Sequence, residues 1–119
     1  MQGLGISSAA AAVEIPLHIR QLLGEDATWQ LADLIARFLD DTTDLLTTMS
    51  AAAADGDLVA IQRAAHRLKS SSALVGAPLL SELCEQLEHA LRTNAPIDVR
   101  EHVERVAIEF ARVKASLSA

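Results

Sequence analysis

Apolar side chains return every three or four residues along most of this chain. Leu31, Leu34, Ile35, Phe38, Leu39, Thr42, Leu45, Leu46 and Met49 share one face of a helix predicted from Ala27 to about Ala54. Its polar side carries Asp33, Arg37, Asp40, Asp41 and Asp44. Paired carboxylates are the raw material of acid–base or metal sites. With no neighbouring His and no second acidic cluster, these read as a solvated face. Asp55-Gly56-Asp57 stops this helix and caps the next. From Leu58 to about Val75, a step of about 100° per residue gathers Leu58, Ile61, Ala65, Leu68 and Ser72 into one buried stripe. Gly76 reads as a helix C-cap and Pro78 as the first residue of a new helix. That helix turns Leu79, Leu80, Leu83, Cys84, Leu87 and Leu91 inward, with Cys84 a small core residue rather than a reactive thiol. Thr93-Asn94-Ala95-Pro96 is a turn, and Asp98 caps or enters the last helix. There Val99, Val103, Val106, Phe110, Val113 and Leu117 repeat with a seven-residue alternation.

Ahead of these lies a short amphipathic piece, Ile15 to Leu23, with Pro16 in its first turn, Gly24 at its end and Asp26 as the next N-cap. Residues 1–13 are rich in Ala, Ser and Gly and lack the basic start of a signal peptide, so they read as a flexible leader or linker before a bundle domain over 14–119. The pattern predicts an all-α protein: an antiparallel up-and-down four-helix bundle with a short extra N-terminal helix.

Composition narrows the function more than the fold. Half of the 119 residues are apolar and 3% are aromatic, an Ala- and Leu-rich mixture that favours helices in one modest core. A net charge of -6 argues against a nucleic-acid partner. The single Cys excludes an internal disulfide and fits a reducing compartment. No apolar run of about eighteen residues exists, so direct membrane contact is not expected. The expectation is a cytoplasmic domain, with any membrane belonging to a larger protein that contains it.

The chemistry concentrates on the second long helix. His66 falls roughly 120° from the centre of the buried stripe and points into water. Gln62 and Lys69 lie on its side of the helix, one turn before and after, and Ser70 stands a full turn along. An exposed neutral imidazole is a good nucleophile near neutral pH. An ammonium beside it can offset the charge of an acquired phosphoryl group, and a small neighbour leaves room for another protein. Between Leu58 and Ser81 there is no acidic residue, in a chain with sixteen. Arg63, Arg67 and Lys69 therefore form a local basic patch that steers an acidic partner. Ser70, Ser71 and Ser72 are expected to bond carbonyls one turn earlier rather than to act as nucleophiles. His18, His89 and His102 share no ligand spacing and read as surface side chains, so neither a metal nor a cofactor is expected on this chain.

At these residues the sequence resembles the histidine phosphotransfer (HPt) domain family. The pattern His-x-x-Lys-Gly-Ser-Ser, followed by a Gly-Ala turn, reads His66-Arg67-Leu68-Lys69-Ser70-Ser71-Ser72 and then Gly76-Ala77. The next helix resembles the family's Leu-x-x-Leu-Cys-x-x-Leu-Glu at Leu80 to Glu88. Ser70 departs from the pattern, standing where Gly is usual. The resemblance implies the same bundle and a phosphoryl relay. His66 would attack, through Nε2, a phospho-aspartate on a response-regulator receiver domain and pass the phosphoryl group to the aspartate of a second receiver. Lys69 would pair with the phosphoryl oxygens and Gln62 would hydrogen-bond them, while the metal ion for transfer would be held by the receiver. The partner surface would comprise Val59, Gln62, Arg63, Arg67, Ser70 and Ala73. The chain would be a monomeric carrier domain rather than an enzyme, within a hybrid sensor histidine kinase; it has no Gly-rich nucleotide loop and no kinase motif.

Three other readings compete. A dimerising phospho-accepting domain of a sensor kinase wants an acid directly after the His and a Pro soon after, which Arg67 and Ser70-Ser71 do not supply. A scaffold that only binds receivers or another signalling partner would not need both His66 and Lys69. A metal-binding bundle needs inward Glu and His pairs, where the inward positions read as Leu, Ile, Val and Ala.

Overall fold

The computed structural model describes residues 27–118. The expected leader over 1–13 and the expected short helix from Ile15 to Leu23 lie outside the described residues. Four helices follow in order: α1 (Ala27–Asp55), α2 (Leu58–Leu74), α3 (Pro78–Arg92) and α4 (Val99–Ser118). Each packs on its neighbours in sequence, and α1 closes the ring against α4. With connections this short, neighbouring helices run antiparallel, and the result is the up-and-down bundle. None of these helices is long and apolar enough to cross a membrane.

The turns share one chemistry. Each helix before a turn is followed by a residue with positive φ: Gly56 at 73°, Gly76 at 79° and Asn94 at 56°. Behind it the chain closes back on the helix, Asp57 N–H to the Ala52 carbonyl (2.9 Å), Ala77 N–H to Ser72 (2.8 Å) and Ala95 N–H to Ala90 (2.9 Å). This is the Schellman closure, for which glycine is the least strained residue and asparagine the usual substitute. Helix starts are capped as directly. The Asp57 carboxylate accepts from Ala60 N–H at 3.1 Å, and that of Asp98 from Glu101 N–H at 3.1 Å, so Asp98 is a cap. Pro78 opens α3 without a side-chain cap.

All four helices supply the core: Phe38 and Met49 from α1, Ile61, Ala65 and Leu68 from α2, Leu80, Cys84 and Leu87 from α3, and Val103, Val106, Phe110 and Val113 from α4. Phe38 and Phe110 meet edge to face, with ring centroids 6.2 Å apart. Burial, reinforced by the charge of Glu88, pushes the Cys84 thiol up to about 12, which leaves it an inert core side chain.

Three expectations need correction. Leu58 and Leu79 are each 47% exposed rather than buried. Both lie in the first turn of a helix, and helical side chains lean toward the N-terminus, so these two overhang the helix end instead of covering the neighbouring helix. The inward positions are not purely apolar either: Thr42, Ser72, Glu88 and Glu109 are all buried.

Candidate functional site

Halfway along α2, His66 presents its ring to solvent, 61% exposed, on the side that faces α3. What α3 places against it is Glu88, one turn after the buried Cys84 and next to the buried Leu87. Glu88 Oε2 lies 2.7 Å from His66 Nδ1. Its other oxygen, Oε1, accepts from the Lys69 ammonium at 2.9 Å. Arg92, a turn further along α3, brings Nη1 to 3.9 Å from Oε2. The Glu88 side chain is 8% exposed, yet its carboxyl is held below the ordinary range. The Lys69 hydrogen bond is the largest cause, with help from His66, against a burial that pulls the other way.

An ionised carboxylate can only accept, so the proton between Glu88 and His66 belongs to Nδ1. In the neutral ring that assignment leaves the lone pair on Nε2, the nitrogen turned away from Glu88. One buried side chain thus sets both the tautomer and the orientation of an exposed ring, as second ligand-orienting groups do elsewhere.

Beside the ring lies an open hollow of about 460 Å³ lined by Val59, Gln62, Arg63, His66, Arg67 and Glu88. Besides His66 it gathers four of the residues singled out in sequence: Val59, Gln62, Arg63 and Arg67. Ser70 and Ala73 are exposed further along α2 and do not line it. The Ser70 hydroxyl turns to the His66 carbonyl at 3.4 Å and that of Ser71 to Leu68 at 3.3 Å, the back-bonding expected of them. Ser72, expected to do the same, is instead buried against the core with its hydroxyl unpartnered. His89 is exposed and His102 half-buried, the latter with its ring 3.2 Å from the Asp98 carbonyl.

The basic patch is smaller than the acid-free interval from Leu58 to Ser81 implies. Arg63 and Arg67 are exposed, but Lys69 is only 29% exposed and is bound to Glu88. Charge counted along one helix omits what the neighbouring helix inserts. Glu88 and Arg92 are the site residues that sequence reasoning missed. Glu88 carried a signal, since it sits a turn after Cys84 on an apolar stripe where an ionisable side chain calls for a partner. Arg92 carried none.

Comparison with known proteins agrees with the helical fold. The family model for the Hpt domain matches residues 33–116. Sensor protein TorS of Escherichia coli (strain K12) is 36% identical over an alignment of 89 residues, which covers 71% of this chain and 10% of that protein. The chain therefore spans about a tenth of the length of this curated relative. The crystal structure of histidine-containing phosphotransfer protein B (HptB) from Pseudomonas aeruginosa PAO1 matches with a TM-score of 0.68 at 25% identity, over 96% of this chain and 88% of that one.

Proposed function

This chain belongs to the Hpt domain family, and we propose that it carries a phosphoryl group on His66 between the aspartates of two receiver domains. The observation that carries this reading is the Glu88–His66 hydrogen bond, which leaves a solvent-facing Nε2 with its lone pair free. Nε2 attacks the phosphorus of an aspartyl phosphate on the first receiver. A P–N bond forms as the P–O bond to the aspartate breaks, and the aspartate leaves as a carboxylate. The ring keeps its Nδ1 proton and becomes cationic, a charge that Glu88 offsets from behind. In the second half the carboxylate of another receiver attacks the same phosphorus and the bond to Nε2 breaks, returning the neutral ring.

Most of the work in such a transfer is positioning and charge neutralisation. The Lys69 ammonium has three donors, of which Glu88 takes one. The others serve the phosphoryl oxygens, with Gln62 donating from the preceding turn. Arg92 backs the Glu88 carboxylate while Lys69 is shared. The hollow with Val59, Arg63 and Arg67, extended by Ser70 and Ala73, is the docking surface for the receiver, which brings the metal ion. In this reading the chain is a monomeric carrier domain in the cytoplasm. Its similarity to a tenth of a sensor protein supports placing it within a larger hybrid sensor kinase.

The deciding experiment offers a receiver phosphorylated on its aspartate to this protein and to His66→Gln. Acid-labile, alkali-stable label is expected on the native protein alone, with far-UV helicity and melting temperature of the variant nearly unchanged because the ring is exposed. Absence of label with several unrelated receivers would favour a scaffold that only binds them, and label on both proteins would move the acceptor to another histidine.

A further inference from the structure

Ser81 stands apart from the other helical hydroxyls. Ser70, Ser71, Thr43 and Thr47 each bond a carbonyl of their own helix, three or four residues back. Ser81, in the first turn of α3, reaches across to α2 instead and donates to the Lys69 carbonyl at 2.9 Å. A helical carbonyl has a second lone pair to receive such a bond. Lys69 is thereby gripped at both ends by α3: Ser81 holds its backbone and Glu88, two turns further on, holds its ammonium.

We infer that Ser81 is a positioning residue, which sets the axial register of α3 on α2 so that the Glu88 carboxylate meets His66 Nδ1. This rests on the roles given above to His66 and Lys69. The physical need is plain. Apolar contact between Leu80, Cys84, Leu87 and the α2 stripe is strong but non-directional. One residue of slip along a helix is about 1.5 Å, enough to break a hydrogen bond outright. A half-buried hydroxyl bonded to a backbone atom resists that slip more stiffly than a flexible Lys side chain does. The turn adds to the constraint, since Gly76 and the Ala77-to-Ser72 closure (2.8 Å) fix where α3 begins.

The test reads the His66 ring by nitrogen and proton NMR in the unphosphorylated protein, so it does not depend on any transfer. The native protein should show one tautomer with a protected Nδ1 proton. Ser81→Ala should mix the tautomers and expose that proton, Ser81→Thr should restore the native signals, and Ser71→Ala, which removes a hydroxyl bonded within α2, should leave them alone. Phosphoryl acceptance should fall about tenfold in Ser81→Ala, an effect of misplacement, and recover in Ser81→Thr. Native ring signals and native rates in Ser81→Ala would overturn the inference, and so would a lowered melting point with the ring undisturbed, which is what a merely structural hydroxyl gives. If Ser81→Ala does not fold, Ser81→Cys keeps the volume with a weaker donor and is read in the same way. Failure of the native protein to accept phosphoryl would sink the proposed function, while the ring signals would still decide the role of Ser81.

Discussion

The two halves of this bundle are held together differently. Between α2 and α3 run three cross-helix side-chain hydrogen bonds, Glu88 to His66, Lys69 to Glu88 and Ser81 to the Lys69 carbonyl. Between α1 and α4 there is none among the described residues. Their polar bonds stay inside one helix, as in Arg37 to Asp33, Thr47 to Thr43 or Arg112 to Glu109. Contact between them is apolar, led by Phe38 against Phe110. Shape alone orients a side chain that is packed on all sides. An exposed imidazole has no such walls, so its orientation needs directional bonds from a buried anchor. The bonds cluster around the exposed His66, and apolar packing suffices elsewhere.

The strongest way to break this contrast is to damage the apolar half. Phe110→Ala should cost about 3–5 kcal/mol in urea unfolding, yet leave the His66 ring signals and the acceptance per folded molecule as they are. Phe110→Leu gives the same reading at smaller cost if the alanine variant does not fold. Loss of acceptance in a folded variant would mean that the halves are not separable.

Glu88→Gln attacks the other half and should invert the outcome. Acceptance should fall on the order of tenfold, the usual cost of losing a ring-orienting partner. Stability should change by only about 1 kcal/mol, because the freed Lys69 and His66 side chains, 29% and 61% exposed, can turn to water. The acid limb checks the same group. In the folded protein the Glu88 carboxyl titrates below its unfolded counterpart, held there by Lys69 first and His66 second. Its stabilisation is therefore complete above the ordinary carboxyl range, about pH 4, and is lost as the pH falls through the lowered folded value. Urea unfolding of the native protein should weaken over that interval, and Glu88→Gln should flatten the trend. Equal acid limbs would remove Glu88 from the ion pair.

The smallest expected effect sharpens the comparison from the apolar side. The Thr42 hydroxyl is fully buried on α1 and has no hydrogen-bond partner. Thr42→Val should raise stability by up to about 1 kcal/mol, since an isosteric methyl removes an unpaid desolvation cost. A loss of stability on thermal unfolding would show that this half, too, relies on a polar bond.

The four helices, the caps of the second and fourth and all three turns were legible along the chain, because they depend on neighbours within about four residues. Asp57 and Asp98 cap, Gly56 and Gly76 take positive φ, and the apolar repeat of α4 is buried from Val103 to Val113. His66, Lys69 and Gln62 shared a helix face by periodicity alone, and α2 carries them so. The reading weakened wherever it had to know what stood opposite. Leu58 and Leu79 fit the apolar stripes, but no helix covers them. The interval from Leu58 to Ser81 has no acid, but α3 inserts one.

By itself, then, the sequence determined the helices, the bundle class and the exposed helix face that carries His66, since each follows from local spacing and composition. Only the tertiary structure decided which nitrogen of His66 is free, where the Lys69 charge rests and what Ser81 bonds. Those depend on the axial register of α3 against α2, and side chains from helices at different depths in the sequence meet at distances that no periodicity along one helix encodes.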